Sequence, residues 1–70
     1  MYEVDGNKLR DIRIAKFLSQ RQLAEKAGVT HSTINRLELG KQTAQGQTIR
    51  FLAAALDIDP GEIVVSSQKE

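Results

Sequence analysis

The chain has 70 residues, no cysteine, one histidine and a formal net charge of +1, which bounds it to one small domain with room for one modest core. Without cysteine there is no disulfide framework, no thiolate metal site and no cysteine nucleophile, so stability must come from packed aliphatic helices, with dimerisation as a further source. No apolar run approaches the ~18 residues of a membrane span and no signal-peptide pattern is present, so a cytoplasmic protein without a membrane partner is expected.

The charge is unevenly placed. Between Lys8 and Arg50 nine Lys and Arg face three acids (Asp11, Glu25, Glu38), whereas residues 1–7 and 51–70 are both net acidic. A basic middle between acidic ends suits a face that binds a polyanion, although scattered basic residues also simply solvate helices.

In chain order, "YEVDG" alternates apolar and acidic residues, the pattern of a short edge strand or an ordered arm, and Asp5-Gly6 turns the chain. From Leu9 the period becomes helical, with Leu9, Ile12 and Ala15 three apart. Ser19 and Gln22 form the S-x-x-Q capping box of a second helix. Leu23, Ala24 and Ala27 make its apolar stripe, and Gly28 suits the left-handed position that ends it. Thr30 caps a third helix, whose Ile34 and Leu37 point inward until Gly40. Ile49, Leu52, Ala53 and Leu56 follow the i, i+3, i+4, i+7 spacing of a fourth. Asp59, Pro60 and Glu62 occupy the N-cap, N1 and N3 positions of a short fifth. The expectation is a compact all-α fold of five helices: one domain over 1–70, with its core in 8–64, an arm in 1–7 and a tail in 65–70.

Helices two and three are joined only by Gly28, Val29 and Thr30. So short a connection forces them to cross near perpendicular instead of running back antiparallel. The corner needs a small residue beneath the crossing (Ala24), a residue that tolerates positive φ (Gly28), an apolar plug (Val29) and inward anchors (Ile34, Leu37). All are present at the right spacing, which makes a helix-turn-helix.

The stretches "LRDIR", "LSQRQLAEKAGVTHSTINRLELGK" and "TIRFLAAALDIDPGEI" resemble the Xre family of bacterial and phage regulators, over Leu9 to Ile63. The resemblance implies the fold of the lambda repressor DNA-binding domain. It also implies a structural ion pair between Arg13 and Glu38, and a phosphate contact at Gln20 through side chain and main-chain N–H. The chain departs from the family pattern at Ala44, Gln45 and Gly46, where a proline, a capping Ser or Thr and an apolar residue are usual, so a loosely held start of the fourth helix is expected. Phe17 and Asp57 stand where glycine commonly ends a helix.

With Ile34 at the centre of the inward side and ~100° per residue, Leu37, Glu38 and Thr30 fall near it. Ser32, Arg36 and Leu39 fall opposite, Asn35 flanks them, and His31 lies on the exposed first turn. In helix-turn-helix proteins the outward face enters the major groove. His31, Ser32, Asn35 and Arg36 are therefore the expected base-contacting residues, Arg36 suiting guanine and Asn35 adenine. Gln20, Thr33, Lys41 and Thr43 are the expected phosphate contacts, with Arg10 and Arg21 behind them.

His31 has no second histidine or cysteine nearby and only Asn35 one turn away, so no metal site is expected. His31 and Ser32 are adjacent, point apart and lack a placed acid, so they make no nucleophile pair. No glycine-rich phosphate loop or paired carboxylates are present, and neither enzyme activity nor a cofactor is expected.

The leading reading is a sequence-specific regulator of transcription, a repressor binding a palindromic double-stranded operator as a homodimer, with residues 31–39 in the groove. Two others remain: an antitoxin-type module that binds a partner protein and autoregulates its operon, and a detached DNA-binding domain of a larger regulator. Val64 and Val65 fit either a cover over the edge of the core or a two-fold contact.

Overall fold

The computed structural model describes residues 1–65; the remainder of the expected tail lies outside the described residues. Four α-helices follow one another: α1 (Gly6–Ala15), α2 (Gln20–Ala27), α3 (His31–Glu38) and α4 (Gly46–Leu56). The architecture is all-α, but the expected fifth helix is a single 3-10 turn, Pro60–Ile63. Asp59 opens that turn without a side-chain cap bond. Ile63 is then fully buried, and Val64 leaves in extended conformation to pair with Val4. A longer helix would have to give up that pairing.

Local chemistry starts three of the helices. Asp5 accepts from the N–H of Lys8 at 3.1 Å, so Asp5-Gly6 caps α1 instead of merely turning the chain. Ser19 and Gln22 form the full reciprocal capping box of α2, and Thr30 accepts from the N–H of Thr33. Each satisfies donors that precede the first helical bond. Gln45, at the head of α4, provides no side-chain cap. The segment entering α4 is held by the N-terminal arm: Tyr2 N–H donates to Ala44 O at 2.7 Å and Ala44 N–H to Tyr2 O at 2.9 Å.

The α-helices of the described residues end alike. Phe17, Gly28, Gly40 and Asp57 take left-handed conformation (φ 59, 73, 73 and 57). The following N–H then reaches back to a carbonyl five residues earlier: Leu18 to Arg13, Val29 to Ala24, Lys41 to Arg36 and Ile58 to Ala53, at 2.9–3.1 Å. This Schellman closure satisfies carbonyls that the helix leaves free.

Leu9, Leu23, Ile34, Leu37, Leu52, Leu56 and Ile63 are fully buried in one cluster, each worth about 1.5–3 kcal/mol in apolar surface removed from water. Ala24 is buried in α2 and Val29 packs half-buried at the corner. Gly6 marks a close approach that the sequence did not reveal. A Cβ there would lie 2.4 Å from Glu38 O and 2.5 Å from Leu37 O, so the first turn of α1 sits directly against the end of α3. Val64 packs on the core through its pairing with Val4, and Val65 N–H donates to Glu3 O at 2.8 Å. Val64 thus closes the edge of the core, and Val65 is tied to the N-terminal arm through its backbone. Among the described residues no helix is long and apolar enough to cross a membrane.

Candidate nucleic-acid interface

The two sides of α3 differ as the helical period requires. Ile34, Leu37 and Glu38 are buried, while His31, Ser32, Asn35 and Arg36 are all exposed. The buried carboxylate needs a partner, because an unpaired charge in the core is strongly destabilising. Arg13 of α1 supplies it: Nε donates to Glu38 Oε2 at 2.6 Å and Nη2 to Oε1 at 3.1 Å. The two side chains are only 12% and 3% exposed. The third guanidinium nitrogen, Nη1, donates to Leu18 O at 2.8 Å. One planar fork therefore joins α1, the turn before α2 and the end of α3.

Gln20, the first residue of α2, extends this arrangement to the exposed face. Its Nε2 donates to Glu38 Oε1 at 3.0 Å and faces Asn35 Oδ1 at 3.5 Å, and its Oε1 lies 3.0 Å from His31 Nε2. Two of the four expected base-contacting side chains thus touch the same amide. Ser32 and Arg36 make no side-chain hydrogen bond among the described residues. The side chain of Gln20 is committed within the protein. Its main-chain N–H precedes the first helical bond of α2, Leu23 N–H to Ser19 O, and stays free of the helix.

Of the other expected phosphate contacts, Thr33 and Thr43 come together. Thr33 is half-buried, its hydroxyl 2.9 Å from that of Thr30. It shares with Thr43 a hollow of about 380 Å³ that Thr30, Gln42, Gln45 and Thr48 also line. Lys41 is exposed just beyond Gly40, and Arg10 and Arg21 are exposed on α1 and α2. Sequence reading did not find the role of Gln20 as a bridge. Residues 20, 31 and 38 meet only because α2 and α3 cross, and their spacing carries no local signal. Among the described residues no three His, Asp or Glu side chains gather into a metal-binding group.

Residues 9–63, which hold the corner and both partners of the ion pair, match HTH_3, a helix-turn-helix family. The chain belongs to the HTH_3 family, of the Xre type. It is similar to the "uncharacterized HTH-type transcriptional regulator RghRB" of Bacillus subtilis (strain 168), at 41% identity over 54 residues. That match takes in 76% of this chain and 39% of the relative, so the chain spans about two fifths of the length of that relative. Among solved structures, the HTH_3 fold here resembles the restriction-modification controller protein C.AhdI from Aeromonas hydrophila. The TM-score is 0.79 at 42% identity, over 81% of this chain and 86% of that one. It also resembles SinR, the master regulator for biofilm formation, solved in complex with DNA. There the TM-score is 0.77 at 32% identity, over 80% of this chain and 90% of that one.

Proposed function

We propose that this HTH_3 chain is a sequence-specific double-stranded DNA-binding regulator of transcription that acts as a repressor, with α3 seated in the major groove. The observation that carries the reading is the outward face of α3. His31, Ser32, Asn35 and Arg36 are exposed there while the buried face is tied into α1 and α2 through Glu38. Small polar side chains allow a helix to approach base edges, and Arg36 can bridge guanine O6 and N7. The phosphate contacts are the main-chain N–H of Gln20, favoured by the dipole of α2, and the side chains of Thr33, Lys41 and Thr43. These position the protein without reading sequence. The relative solved with DNA and the nine basic residues between Lys8 and Arg50 support the same reading.

The chain acts without enzyme activity or cofactor, in the cytoplasm, as a homodimer on a palindromic operator whose half-sites lie about one helical turn apart. A second reading, a DNA-binding domain that works within a larger regulator, is favoured by the 39% coverage of the curated relative. It predicts weak binding by the chain alone. Selection of binding sites from random duplex DNA at two salt concentrations tests the proposal. The expected result is an enriched palindromic motif bound more weakly at the higher salt. Absence of any motif together with salt-independent binding overturns it.

A further inference from the structure

We infer that the hydrogen-bonded chain Arg13–Glu38–Gln20 holds His31 in its Nε2–H tautomer, so that the neutral ring presents Nδ1 as an acceptor and selects a base amino group, adenine N6 or cytosine N4. The second half of this inference rests on the proposed DNA-binding reading; the first half does not.

The direction of every bond in the chain is set by what each atom can do. The Glu38 carboxylate is buried against Arg13, which donates to both of its oxygens, and a carboxylate paired in this way only accepts. The atom of Gln20 that faces Glu38 Oε1 at 3.0 Å must therefore be its NH2. The second hydrogen of that NH2 faces Asn35 Oδ1, an acceptor as well. The amide is thus locked in one of its two orientations, with its carbonyl turned to His31 Nε2 at 3.0 Å. A carbonyl oxygen only accepts, so Nε2 carries the hydrogen. A neutral imidazole has one donor and one acceptor nitrogen, and which is which follows from the bond the other makes. Nδ1 consequently holds the lone pair, on the edge of the ring turned away from Gln20, and His31 is exposed.

In the major groove, adenine N6 and cytosine N4 are donors, whereas guanine N7 and O6 and thymine O4 are acceptors. An acceptor Nδ1 pairs with the first group and meets the second lone pair to lone pair. Gln20 acts here as a positioning residue: it never meets the base, yet it determines what His31 can read.

The test begins on the free protein at pH 8.5, with long-range 1H–15N NMR spectra of the His31 ring. The expected result is a protonated-type Nε2 and an unprotonated-type Nδ1. In Gln20→Leu, which leaves the Arg13–Glu38 pair in place, both signals should move toward those of an unconstrained histidine. An Nδ1–H ring in the parent chain, or unchanged signals in Gln20→Leu with its helical circular dichroism intact, overturns the inference. Glu38→Gln provides a second variant: it can donate as well as accept, frees the amide to turn over and should also mix the tautomers.

The DNA arm uses the selected duplex, at the base where His31→Ala relaxes selection. Replacing adenine or cytosine there by guanine or thymine should weaken binding by the parent chain about fivefold to tenfold, the effect of one hydrogen bond. The same replacement should weaken binding by Gln20→Leu about twofold or less. Equal affinity for all four bases, or preference for guanine or thymine, overturns the selection claim. If no duplex is bound at all, the proposed function fails and the spectra alone decide the tautomer.

Discussion

Phe17 is 91% exposed and sits at φ 59, in the left-handed turn that ends α1. It covers no core, and its Cβ is crowded by its own backbone at a position where glycine has no such penalty. Phe17→Gly should therefore raise stability by about 1 kcal/mol in urea denaturation. Asp57→Gly should gain less, because a short polar side chain tolerates the same conformation better. No gain at Phe17 would mean that the phenyl ring contributes something the free chain uses. Arg36 differs: it is exposed and takes no side-chain bond among the described residues. Arg36→Ala should relax preference at one base pair and cost ~1–3 kcal/mol of binding there. Equal weakening on every sequence, measured on a panel of operator variants, would move Arg36 to the phosphate contacts. Which residues of α3 point outward was legible from the helical period, since Ile34 and Leu37 mark the inward side. The committed state of the Gln20 side chain was not legible, because it depends on a crossing of two helices that no local pattern encodes.

At the scale of elements, α1, α2 and α3 each begin with a side-chain cap, and α4 begins with none. Gln45 already has the extended conformation of an N-cap (φ −74, ψ 156). Gln45→Ser should therefore stabilise the fold by about 1 kcal/mol, read as a rise in the urea midpoint with an unchanged slope. A fall in the midpoint would show that the Gln45 side chain contributes through the hollow it lines with Thr33 and Thr43. The starts and stops of α2 and α3 were legible because Ser19, Gln22, Gly28, Thr30 and Gly40 act on their own backbone neighbours. The fifth helix was misread for the complementary reason. Asp59 and Pro60 signal where a helix starts, but its length was decided by Ile63 entering the core and Val64 pairing with Val4. Gly6 was likewise illegible, since its role comes from the carbonyls of Leu37 and Glu38, far away in sequence.

For the molecule as a whole, the basic middle and acidic ends make binding to a polyanion depend on salt. Lys41 is exposed beside the end of α3, and in the proposed function it contributes to that general attraction. Lys41→Ala should weaken binding to every duplex alike and flatten the salt slope by about one unit; an unchanged slope would remove Lys41 from the phosphate contacts. The N-terminal arm bears on a different property. Through Tyr2 with Ala44 and Val4 with Val64 it joins the loop before α4 to the last described residues, closing the chain on itself. The helix-turn-helix corner is built from neighbours in sequence, whereas the pairing of residue 4 with residue 64 spans every helix between them. Contacts of such long range belong late on the folding route, where they slow escape from the native state and leave its formation untouched. Val4→Ala should thus speed unfolding in stopped-flow urea jumps while folding proceeds at nearly its former rate, and slower folding would put the arm in the nucleus. The arm is thus expected to set how long the fold lasts, and the corner how soon it arrives.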